Sequence, residues 1–168
     1  VDEAERLAVR VAEGRTRVLG ADHVDTLRSR LLQAWIAWRA RPDEPGLRTE
    51  VATSIEAVLE TAPTRSPAAF RARARRAELL RRTGELAAAR SAYLALAEDY
   101  RRVLGADHPR AAMLALEVAR LDLLEGRSLA AERLIEQAEP RLRAALAPEA
   151  PSLALLDCLV DRPAMDCP

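Results

Sequence analysis

Val18-Leu19-Gly20-Ala21-Asp22-His23 returns far along the chain as Val103-Leu104-Gly105-Ala106-Asp107-His108, and the reading of these two copies decides the fold. They are displaced by 85 residues, close to twice 42. A period of 42 to 43 requires further starts between and beyond them. Ser66-Pro67 lies 43 residues after His23-Val24, His108-Pro109 follows 42 later, and Ala150-Pro151 another 42 on. Self-similarity at such a period marks a stack of small supersecondary units rather than one irregular core.

Other positions keep the same phase. Ala34, Ala77 and Ala119 are displaced by 43 and 42, as are Ile36, Leu79 and Leu121. A second small-residue series, Ala4, Gly46, Ala89 and Ala131, repeats at 42, 43 and 42. Small residues in phase have a physical reason, because two helices approach closely only where the contact lacks bulk.

Each period reads as two helices. Pro109 sits at a helix start, Ala112, Leu116, Ala119 and Leu123 follow at helical spacing, and Glu125-Gly126 supplies a stop. A second helix is expected from about Ser128 to Leu146. The middle period repeats this with Pro67, a helix through Arg82, the Thr83-Gly84 turn and a long helix from Glu85 to Leu104. In the first period the turn is rebuilt as Arg41-Pro42-Asp43-Glu44-Pro45-Gly46, whose prolines and glycine stop one helix and start the next. Composition agrees: of 168 residues 61 are Ala or Leu, against five aromatics and six Gly, a balance that favours helix over strand.

These residues resemble the tetratricopeptide repeats, specifically the longer 42-residue variety typified by kinesin light chains. The family's Leu-Gly-x-Asp-His-Pro link is intact at Leu104 to Pro109 and nearly so at Leu19 to Val24, where Val24 replaces the proline. Val118-Ala119, Gly126 and Ala131-Glu132 match as well, whereas the middle copy keeps Ala77, Gly84 and Ala89 but carries Thr64-Arg65-Ser66 in place of the link. The resemblance implies an all-α chain, an α-solenoid in which antiparallel helical hairpins form a right-handed superhelix. The expected array covers 1–162: a second helix at 1–20, repeats at 24–62, 66–105 and 109–147, a truncated or capping helix at 151–161, and then an irregular tail at 163–168. It further implies a non-catalytic module that takes up a peptide or helix on its concave wall, within a larger bacterial signalling or regulatory protein. The alternative role is an intramolecular regulatory or dimerising platform, of the kind fused to kinases and transcription regulators, with a homodimer formed through the truncated terminal helices.

First-helix residues form the expected wall. Arg28, Leu32, Trp35 and Arg39 fall at i, i+4, i+7 and i+11, with Arg71, Arg75, Glu78 and Arg82 in the matching places of the next repeat and Met113, Glu117, Arg120 and Leu124 in the third. Where the family often places a backbone-gripping asparagine, this chain has Arg75 and Glu117. That departure points to Arg-based recognition of acidic side chains, with Trp35 as anchor. Two readings compete with this: Arg75, Glu78 and Arg82 are also spaced for ion pairing within their own helix, and Trp35 also suits a core. Trp38 is expected to pack into the first hairpin.

Other classes are weakly supported. Arg65 to Arg82 holds seven arginines against one acid, Glu78, yet Phe70 is the only aromatic there, which argues against nucleic acid. The whole chain is neutral, 26 bases, all of them arginine, against 26 acids. His23 and His108 lie two repeats apart, on the order of 20 Å at roughly 10 Å per packed layer, too far to share a metal, so each Asp-His is expected to organise its own turn. No phosphate loop, nucleophile elbow or paired-carboxylate site is present, so neither catalysis nor a cofactor is expected. No apolar run reaches the roughly 18 residues of a membrane span, and with no signal-peptide pattern a cytoplasmic location is expected. Cys158 and Cys167 read as an incidental reduced pair, a disulfide requiring an oxidising compartment.

Overall fold

A computed structural model describes residues 2–161. They form helices α1 (Asp2–Leu19), α2 (Val24–Ala40), α3 (Leu47–Thr61), α4 (Pro67–Arg82), α5 (Leu86–Leu104), α6 (Pro109–Leu124), α7 (Ser128–Ala145) and α8 (Pro151–Asp161), with no strand among the described residues. The fold is all-α. The expected tail at 163–168 lies outside the described residues.

The repeated link makes the helix boundaries. Gly105 ends α5 with φ 99° and ψ 157°, a region open essentially to glycine alone, and its N–H donates to the Arg101 carbonyl. His108 then caps α6, its Nδ1 accepting the Arg110 N–H at 3.2 Å, and Pro109 follows where no helical donor is needed. His23 caps α2 the same way, accepting from Asp25 N–H at 3.2 Å. The histidine of each Asp-His pair therefore caps the following helix, as the sequence suggests, whereas Asp107 pairs with Arg141 of α7 at 3.1 Å.

The chain divides into two compact units, one up to Arg76 and one from Ala77, with the boundary inside α4. In the first, α2 packs on both α1 and α3. Ala8 and Ala12 of α1, Leu31, Ala34, Trp35 and Trp38 of α2, and Val51, Ile55 and Val58 of α3 are buried. Trp35 and Trp38 meet edge to face, centroids 5.3 Å apart at 62°. In the second, α6 packs on α5 and α7, and α8 closes on α7 and α6. Its core joins Leu116, Ala119, Ala131, Ile135 and Leu142 to Leu153, Leu156 and Leu159.

Of the in-phase series, Ala34, Ala77 and Ala119 are all buried, as are Ala89 and Ala131. Ala4 and Gly46 differ: both are exposed. Gly46 sits before α3 as its cap, at φ 90°, because the longer Pro-rich turn shifts the helix start past it. The register in second helices is carried instead by Val51, Tyr93 and Ile135 and by Val58, Tyr100 and Leu142, each series spaced 42 apart and buried throughout.

One helix carries an unusual residue, and one cysteine departs from the sequence reading. Pro140 lies inside α7, on its exposed face, where the carbonyl left without a helical donor can turn to water. Cys158 is disulfide-bonded, which corrects the reduced reading, and its only possible partner within the chain, Cys167, lies outside the described residues.

Candidate functional site

In the first unit, three helices converge on a cleft of about 360 Å³. Arg15 enters from α1, Arg28 from α2, and Arg71 and Arg75 from the first part of α4. Val11, Leu31, Leu32, Ala68 and Ala72 supply an apolar lining between them. Helical spacing explains the α4 share, since residues 68, 71, 72 and 75 recur at i, i+3, i+4 and i+7 on one stripe.

Each guanidinium is held differently. Arg28 donates to Asp25 Oδ1 at 2.6 Å. Arg15 donates to Ser29 Oγ at 2.7 Å and to the Asp25 carbonyl at 3.2 Å, both neutral acceptors. Arg75 lies over the Trp35 ring, 4.4 Å from its centroid, close enough for a cation–π attraction. Arg71 is exposed and makes no hydrogen bond or ion pair among the described residues.

Trp35 is not an exposed anchor. Only 2 % of its surface is accessible, with Trp38 edge to face against it and Arg75 over its ring, so the core reading holds. Arg39 is exposed near the end of α2 and does not line the cleft. Arg15 was invisible to a reading that sought the wall in first helices alone; the signal was an arginine in the last turns of α1, level with the start of α2.

Glu78, Arg82, Glu117 and Arg120 belong to the second unit and form a different arrangement. Glu78 accepts from Arg81 Nε and Nη2, both at 2.9 Å, from Arg82 Nε at 2.6 Å and from the Tyr93 hydroxyl at 3.2 Å. Burial pushes the Glu78 carboxyl up, but Arg81 and Arg82 outweigh it and hold it below the usual carboxylate range. Glu117, on α6, takes the opposite course. Burial and then the Glu78 charge push its carboxyl up, and its Oε2 is buried without a hydrogen-bond partner. Burial, followed by the Arg81 charge, lowers Arg120. The Tyr93 hydroxyl is raised by burial and by the Glu117 and Glu78 charges, so it remains a donor. Within this cluster Glu78 is satisfied by Arg81 and Arg82, the intrahelical alternative foreseen for Glu78 and Arg82, whereas Glu117 Oε2 is not.

A second polar group escaped the sequence reading. Asp122 of α6 is fully buried, yet accepts from Arg90 Nε of α5 at 2.7 Å and from Arg127 Nε at 2.7 Å. Arg127 also pairs with Glu125, so the α6–α7 turn is clasped to α5. No group of His, Cys, Asp and Glu among the described residues is arranged to hold a metal. No helix among them is long and apolar enough to cross a membrane.

The family model for the tetratricopeptide repeat matches residues 1–25 and 71–110, the two stretches that run into the Leu-Gly-Ala-Asp-His link. Over those two stretches the chain is similar to tetratricopeptide repeats. Tetratricopeptide repeats generally mediate protein–protein interaction and are typically non-catalytic. The middle link, with Thr64-Arg65-Ser66, falls outside the matched stretches. No curated protein matches the chain.

Proposed function

We propose that the first unit binds a peptide or helix of a protein partner through acidic side chains, as one module of a larger regulatory protein. The observation that carries this reading is the convergence of Arg15, Arg28, Arg71 and Arg75 on one cleft with an apolar floor. Apolar side chains of a partner would supply contact area there, and its carboxylates would meet guanidinium forks. Arg71 and Arg75 replaced together by Ala should weaken an acid-bearing peptide selected on the native chain by roughly 1–3 kcal/mol, with helicity unchanged. Unchanged affinity removes the cleft from the account.

A second reading, a self-associating platform, is favoured by α1. Leu7, Val11 and Val18 lie at i, i+4 and i+11 on one stripe and are 50 %, 47 % and 81 % exposed. Light scattering at two protein concentrations separates the two readings. A concentration-dependent dimer abolished by Leu7→Glu supports the platform, and a monomer at both concentrations leaves the cleft reading alone.

The basic run on α4 does not present a free cationic face. Arg73 donates to the Thr64 carbonyl at 2.6 Å, Arg76 pairs with Glu56 at 3.1 Å, and Arg81 and Arg82 are held by Glu78. That commitment weighs against a nucleic-acid role.

A further inference from the structure

We propose that the cleft of the first unit receives a single dianionic group, the phosphorylated side chain of a partner peptide. The inference rests on the peptide-binding reading above and narrows it. Four guanidiniums converge, but they are not equivalent. Asp25 balances Arg28 through an ion pair at 2.6 Å, and Arg75 is set aside from the count because it is already committed over Trp35. Arg15 has only neutral acceptors, and Arg71 has none among the described residues. Two positive charges, on α1 and α4, are therefore left without a balancing acid inside one cleft of about 360 Å³.

The number of unbalanced charges discriminates between ligands. Meeting both guanidiniums with carboxylates would take two acidic residues of one peptide, brought together against their own repulsion. A phosphomonoester places a charge of about −1.5 to −2 and three acceptor oxygens in one group at neutral pH. Arg15 and Arg71 can each present a fork of N–H donors to such a group, one from α1 and one from α4, with Arg28 adding a third. Leu31, Leu32 and Ala72 would then cover the methylene stem and the neighbouring residue.

The test uses the full chain and immobilised pools of degenerate peptides with a fixed central phosphoserine, glutamate or serine. The phosphoserine pool should be retained roughly tenfold better than either other pool, about one charge-assisted contact in free energy. Arg15→Gln together with Arg71→Gln should abolish the difference while the circular dichroism spectrum stays native. Equal retention of the glutamate and phosphoserine pools, lost in the double variant, overturns the phosphate assignment and leaves the peptide cleft standing. Retention of no pool by the native chain overturns both. Phosphoserine retention that survives the double variant places binding elsewhere and also overturns the proposal, as does equal Arg-dependent retention of a single-stranded DNA oligonucleotide.

Discussion

At Asp122 a fully buried carboxylate joins two arginines that reach it from α5 and from the α6–α7 turn. Replacing it by Ala leaves both guanidiniums partly exposed rather than sealed in an apolar core, so the cost is set by lost hydrogen bonds more than by a stranded charge. We expect about 2 kcal/mol in urea unfolding. Burial raises the Asp122 carboxyl, but Arg90 and Arg127 pull it below its ordinary value. Its contribution is therefore complete above about pH 3.9 and disappears as pH falls through the lower folded value, so wild-type and Asp122→Ala stabilities should converge in strong acid. Glu117 has the reverse sign. The fold raises its carboxyl, so ionisation works against folding as pH climbs from about 4.3 through the folded value. Glu117→Gln should accordingly raise stability at neutral pH by up to about 1 kcal/mol, and the gain should vanish below pH 4 in the same assay.

Helix packing was legible in the alanines. Ala119 lies fully buried with Ala131 in the seam between α6 and α7, where a larger side chain has nowhere to go. Ala119→Leu should cost roughly 1–3 kcal/mol by pushing the two helices apart, read as a lower melting temperature. Gly105→Ala should cost about 1–2 kcal/mol for a different reason: a Cβ there meets no atom within 4 Å, but the backbone sits at φ 99°. The link motif announces the second effect, because its Gly ends one helix before its His starts the next. Gly46 ends the Pro-rich turn as its prolines and glycine suggest, but it does not share the seam position of Ala89 and Ala131, because periodicity assigns a phase and cannot see that a longer turn moves the helix start. The cleft was half visible: Arg28, Arg71 and Arg75 follow from first-helix spacing, whereas Arg15 arrives from a neighbouring helix and no one-dimensional pattern relates it to Arg71. Trp35 shows the same limit, since its burial is decided by Trp38 and Arg75, the latter forty residues away in the chain.

For the whole molecule, neutrality conceals a polar division. The 26 bases and 26 acids cancel in sum, yet the first unit gathers unbalanced arginines in its cleft while in the second Glu78 and Asp122 are each met by two arginines. Ligand capture by the cleft should therefore weaken with added salt even though the net charge is zero, measurable as a falling association constant between low and physiological ionic strength.

The aromatic residues divide along the same boundary. Both indoles, Trp35 and Trp38, are buried before Arg76, and both phenols, Tyr93 and Tyr100, are buried after it. Nature has thus given each half its own chromophore. Emission excited at the red edge follows the melting of the first half alone, and near-ultraviolet bands of tyrosine follow the second, so no label is needed to learn whether the halves come apart together.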